Sequence, residues 1–171
     1  SMVQETTYHL GRDIASTPGK VVFRNYLMEI IQYAPTTREV NETPVVIIAP
    51  WINKYYILDI APDKSLLRHL VDQGFTVFVT SWKNPGPEMR DTTLDDYMTD
   101  GALAIINTAR EICGVENVHA AGYCIGGTLL AVLQAWLARQ NGSSPAPIGH
   151  WTLLTSLIDF TNPGDMDAFI T

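Results

Sequence analysis

From Pro44 onward the chain alternates between short apolar runs rich in β-branched residues and longer stretches with helical periodicity. "PVVIIAP" is a continuous apolar run bounded by prolines, the pattern of a strand buried on both faces. "DKSLLRHLVDQG" follows, with Leu66, Leu67, Leu70 and Val71 on one helical face and Gly74 as a stop. "FTVFVTSW" is a second buried strand, and "TTLDDYMTDGALAIINTAREICG" a long helix with Thr93 as N-cap and Gly114 at the C′ position. "ENVHAAGY" is a third strand, "GGTLLAVLQAWLARQNG" a third helix and "HWTLLTSLI" a fourth strand. Strand and helix joined by a few residues, repeated in this way, make an α/β fold: a mostly parallel sheet with helices on both faces.

Ahead of this core, "KVVF" at 20–23 and "YLMEIIQY" at 26–33 suggest a β entry. The expected organisation is a two-residue expression scar (1–2), an N-terminal β entry segment (3–43) and the first part of a catalytic core (44–171). Composition agrees with a globular domain: 46% of the 171 residues are hydrophobic and 17% charged. A net charge of −7 with scattered basic residues argues against nucleic acid as a partner. No apolar run is long enough for a membrane span, and the N-terminus lacks the layout of a secretory signal. The two cysteines, Cys113 at a helix end and Cys124 in a glycine turn, make no disulfide framework and fit a reduced, cytosolic setting.

Chemistry enters at "GYCIGGTL", where Gly122, Cys124 and Gly126 form Gly-x-Cys-x-Gly between a buried strand and an amphipathic helix. A nucleophile on so sharp a strand-to-helix turn needs small residues two before and two after it. It then stands above the carboxyl edge of the sheet at a helix N-terminus, where the helix dipole favours a thiolate. The N–H of Ile125 is one expected oxyanion donor. The second is expected from "PWINKYYILD", with Ile52 preferred and Trp51 the alternative. On spacing alone, a glycine-rich packing turn with an inert thiol, and an aromatic plug over the sheet end, remain open.

Taken together, "GRDIASTPGKVVF", "LMEIIQYAPTT", "PWINKYYILD", "VDQGFTVFVTSWKNP", "TTLDDYMTDGALAII" and "GYCIGGTLLA" closely resemble polyhydroxyalkanoate synthases, nearest to the short-chain class I enzymes, from about Leu10 onward. The resemblance implies an α/β-hydrolase-like fold and a polymerase of (R)-3-hydroxyacyl-CoA, typically 3-hydroxybutyryl-CoA. Such an enzyme works in the cytoplasm at storage-granule surfaces, commonly as a dimer. It needs no metal or cofactor, since the CoA thioester is substrate and CoA is product. The family's nucleophile falls on Cys124, with Gly122, Gly126 and Gly127 forming its elbow. The Asp of its "INKYYILD" motif falls on Asp59, read as support for the oxyanion loop. A cysteine suits this chemistry, because thiolate attack on a CoA thioester yields another thioester. The acyl group stays activated for attack by the next hydroxyl, whereas a serine ester would leave less driving force for chain growth.

The general base is not evident. This fold orders its triad as nucleophile, acid, histidine, and the only histidine after Cys124 is His150, at the amino end of its strand. His9, His69 and His119 precede the nucleophile, and no histidine follows Asp159, Asp165 or Asp167. The family places its Asp and His beyond Thr171, after a lid-like insertion. The segment is therefore expected to be inactive alone, and its last strand to be an apolar edge that self-associates or is held by material outside this sequence. Two other readings stand beside this one: an esterase or depolymerase of the same fold, and a non-catalytic module that binds granules or a partner subunit.

Overall fold

The computed structural model describes residues 19–50, 66–123, 125–141 and 147–154. They form a six-stranded sheet: β1 (Lys20–Arg24), β2 (Met28–Tyr33), β3 (Val45–Ile48), β4 (Val77–Trp82), β5 (Val118–Tyr123) and β6 (Ile148–Leu154), in the spatial order β1-β2-β4-β3-β5-β6. β4, β3, β5 and β6 are parallel, while β1 pairs antiparallel with β2, and β2 with β4. The entry segment thus contributes two strands to the same sheet and the same core.

Helices cover both faces, as the alternation requires. α1 (Leu66–Asp72) packs on one, with Leu66, Leu67, Leu70 and Val71 buried against Val45, Ile47, Val77 and Val79. On the other face, α2 (94–113) and α3 (Ile125–Asn141) bury Ile105, Ile106, Leu130 and Leu133 against Ile30, Val46, Phe78 and Ala120. All four residues of β3 are fully buried, which accounts for a β-branched run without polar alternation.

The expected helix boundaries are present with their physical causes. Gly74 (φ 89°) and Gly114 (φ 63°) take left-handed conformations that end α1 and α2. Thr93 caps α2 reciprocally: the Asp96 N–H donates to Thr93 Oγ1 at 3.2 Å, and the Thr93 N–H to Asp96 Oδ2 at 2.9 Å.

Two details depart from the sequence reading. β6 begins at Ile148, so His150 lies inside the strand rather than at its start. α2 is not uniformly α-helical: Tyr97–Ala102 is a π segment, closed by the Leu103 N–H donating to Met98 O. There Gly101 lies against the Trp82 indole, and a Cβ on it would stand 2.5 Å from Cη2. Asn25, in the β1–β2 turn, accepts the Leu27 and Met28 N–H groups and donates to Asp100 O at 2.7 Å, so the turn is fastened to the π segment. Among the described residues β6 has one neighbour, β5, and its Trp151 and Leu153 are about half exposed.

Candidate active site at the strand-to-helix elbow

β5 ends at Tyr123 and α3 begins at Ile125, so a single position separates a central parallel strand from a helix N-terminus. Such a reversal brings the first turn of α3 back onto the backbone it has just left. A Cβ on Gly122 would stand 2.5 Å from Gly127 Cα and 2.7 Å from Gly126 O. One on Gly126 would run into Ile48 O and stand 3.1 Å from Ala49 O. Gly127 is less confined, its nearest neighbours being Gly122 O at 3.2 Å and Leu153 Cδ2 at 3.4 Å. The two outer glycines of Gly-x-Cys-x-Gly are therefore where side chains have no room. Ile125 is the first residue of α3, so its N–H belongs to the set that no helical carbonyl can accept.

Four candidates, Cys124, Ile52, its alternative Trp51, and Asp59, lie outside the described residues, as do His9, Asp159, Asp165 and Asp167. Two of the other histidines sit away from the elbow. His119 and His150 are paired in register, with ring centroids 5.1 Å apart. His150 is four residues before the carboxyl end of β6, roughly 13 Å along the strand. Burial and, secondarily, the charge of His150 hold the His119 imidazole below its usual pKa. His69 lies in α1. His119 and His150 are thus too far back along their strands to reach a group at the elbow. Cys113, half-buried at the end of α2, has its thiol pushed up by burial, the opposite of an activated nucleophile.

Thr80 and Trp82 belong to no catalytic motif legible in the sequence. β3 ends at Ile48, and the next residue is held by side chains of β4. The Ala49 N–H donates to Thr80 Oγ1 at 2.9 Å, and Trp82 Nε1–H donates to Ala49 O at 2.6 Å. Thr80 is fully buried, which is unusual for a hydroxyl in an apolar strand. The only signal in the sequence is that polar interruption, two residues before a tryptophan in "FVTSW".

A cavity of about 300 Å³ opens beside Trp82 at the carboxyl edge, with Arg24, Glu29 and Lys83 in its wall. Its cations are already paired, Arg24 with Glu29 and Lys83 with Glu88, each at 3.3 Å. Among the described residues no three His, Cys, Asp or Glu side chains group to hold a metal, and no helix is long and apolar enough to cross a membrane.

Comparison with known proteins adds three findings. Residues 44–167 match the alpha/beta hydrolase fold family, and residues 1–70 match the family described as poly-beta-hydroxybutyrate polymerase (PhaC) N-terminus. The chain is 49% identical over 164 residues to a poly(3-hydroxyalkanoate) polymerase of Methylorubrum extorquens, and 42% identical over 170 residues to a poly(3-hydroxyalkanoate) polymerase subunit PhaC of Cupriavidus necator. It covers 96% and 99% of its own length in these alignments, but 27% and 28% of the relatives. Solved structures share the fold: an esterase from Rhizomucor miehei (TM-score 0.54, 19% identity, 82% of this chain and 44% of that one) and the HSL-homolog EstE7 from a metagenome library (TM-score 0.56, 14% identity, 94% and 50%).

Proposed function

The chain belongs to the alpha/beta hydrolase family and is homologous to a segment of the poly(3-hydroxyalkanoate) polymerases, and on that premise we propose that it carries the nucleophile of an acyltransferase that polymerises (R)-3-hydroxyacyl-CoA. One observation carries the reading. A cysteine occupies the middle of a strand-to-helix turn whose flanking glycines tolerate no side chain, in a chain 42–49% identical to proteins named as these polymerases.

In this reading the Cys124 thiolate attacks the thioester carbonyl carbon. The C–S bond to CoA breaks, CoA leaves as a thiolate that takes up a proton, and the acyl group is held as a Cys124 thioester. The hydroxyl of a second monomer or chain end then attacks that carbonyl, gives its proton to a base, and forms the ester as the Cys124 sulfur leaves. Each attack places negative charge on the carbonyl oxygen, to which the Ile125 N–H and a donor from Ile52 donate hydrogen bonds; such preorganised donors are worth roughly 2.7–4 kcal/mol each. Asp59 supports the loop carrying Ile52. His119 and His150 lie away from the elbow, which supports the family's arrangement, in which the base and its Asp come from beyond Thr171 and the 171 residues alone do not turn over. The working enzyme is a cytoplasmic dimer at the surface of polyester granules, with 3-hydroxybutyryl-CoA as substrate and no cofactor.

The test is thiol release from (R)-3-hydroxybutyryl-CoA by the full-length polymerase carrying this sequence and by the 171-residue chain, each beside its Cys124→Ala variant. Release by the full-length wild type alone is the expected result. Release by a Cys124→Ala variant removes the cysteine from the mechanism. Hydrolysis of simple esters without CoA release makes the protein an esterase.

A further inference from the structure

We propose that Thr80 and Trp82 are positioning residues for the reaction at the elbow, acting through the Ala49 peptide that they clamp. The inference deepens the reading above and rests on its placing the reacting group at position 124. Ala49 lies just past the end of β3, where the sheet ladder no longer holds the backbone, yet both of its polar groups are engaged. Thr80 Oγ1 takes its N–H at 2.9 Å, and Trp82 Nε1–H is given to its carbonyl at 2.6 Å. The same carbonyl lies 3.1 Å from where a Cβ of Gly126 would stand. The clamped peptide is thus the wall against which the first turn of α3 rests, one residue from the Ile125 N–H.

Two consequences follow for an oxyanion forming at that turn. The position of the Ile125 donor relative to β3 is fixed by this contact, and a displacement of a fraction of an ångström weakens a preorganised donor. The Ala49 carbonyl also presents its negative end toward the elbow, where a developing oxyanion would be repelled; the indole N–H turned onto it offsets that charge. Trp82 is itself held from behind. Gly101 in the π segment leaves no room beneath the indole, and the Tyr97 ring packs against it, tilted by 59° with centroids 5.4 Å apart. A π turn and a glycine, neither required by helix stability, serve to seat this side chain.

The experiment compares Trp82→Phe, Thr80→Val and Thr80→Ser with wild type in the full-length polymerase, reading kcat and KM for CoA release, thermal unfolding, and the rate at which iodoacetamide alkylates Cys124. Trp82→Phe keeps a ring but removes the N–H, and Thr80→Val keeps the shape but removes the acceptor. Each is expected to lower kcat at least 10-fold with KM within two-fold of wild type. Alkylation, which develops no oxyanion, is expected to proceed at the wild-type rate, and Thr80→Ser to restore kcat. A kcat within two-fold of wild type in both Trp82→Phe and Thr80→Val, whatever happens to the unfolding temperature, overturns the proposal. So does a loss of kcat that Thr80→Ser fails to restore. Should the wild type hydrolyse p-nitrophenyl butyrate without releasing CoA, the polymerase reading alone fails. The same variants are then scored on that ester, whose hydrolysis develops the same oxyanion, with the same expected and overturning results.

Discussion

Gly126 and Ile48 meet backbone to backbone: the space a Gly126 side chain would need is taken by the Ile48 carbonyl oxygen. They are remote in sequence, one in the first turn of α3 and the other at the end of β3. The elbow can be this tight only because the central strand beside it ends where it does. Gly126→Ala and Gly122→Ala therefore each require backbone to move, at a cost of about 1–3 kcal/mol or more. Both are expected to lose CoA-releasing activity as well as unfolding temperature. Gly127→Ala needs only a few tenths of an ångström and gains up to about 1 kcal/mol in helix propensity, so near-wild-type stability is expected. Equal behaviour of the three variants in thermal melts would contradict this ranking.

Thr93 carries the capping box of α2 and is exposed, so its replacement removes hydrogen bonds without opening a cavity. Thr93→Ala is expected to cost about 1 kcal/mol in urea unfolding, with Thr93→Ser close to wild type. A cost under about 0.3 kcal/mol would mean that packing of the π segment alone sets the start of this helix.

Tyr26 donates to Asp100 Oδ2 at 2.6 Å, and that hydrogen bond, with burial and the carboxylate's charge behind it, pushes the phenol up from 10.0 to about 12. The folded state thus holds this proton more tightly than the unfolded chain does. The contribution to stability is complete below pH 10 and is lost as pH rises from about 10 through about 12. Tyr26→Phe should flatten that part of the stability profile in urea melts. An unchanged slope would assign the alkaline loss to other groups.

His119 has the opposite linkage at the other end of the sheet. Its imidazole is held below 6.5 by burial first and by the neighbouring His150 second. Above that value both folded and unfolded states are neutral and nothing is lost. As pH falls through 6.5 the unfolded chain takes up the proton first and folding stability declines. His119→Gln should reduce the decline between pH 7.5 and 5. His150→Gln should reduce it less, because the burial remains. If the two variants respond alike, like-charge repulsion rather than desolvation is the main cause.

Much of this could be read along the chain because it depends on neighbours in sequence. The buried run at Val45–Ile48, the apolar face of α1, the cap at Thr93 and the stops at Gly74 and Gly114 are all local preferences that packing did not overrule. The spacing of Gly122, Cys124 and Gly126 belongs to the same class, because the turn is built within five residues. The π segment was not legible: "YMTDGALAII" satisfies an ordinary helical period, and the extra width at Tyr97–Ala102 coincides with a tryptophan on another strand.

By itself, then, the sequence determined the α/β alternation, the apolar helix faces and the caps and stops at Thr93, Gly74 and Gly114. Each follows from apolar periodicity, chain stiffness and the conformational freedom of glycine, all properties of adjacent residues. The tertiary structure alone decided that β2 runs antiparallel beside β4, and that His119 and His150 meet at a distance from the elbow. It also decided that Thr80 and Trp82 reach across to hold Ala49, and that Ile48 closes on Gly126. Those pairs are joined by strand register, and a register is chosen by the whole buried face of a sheet at once.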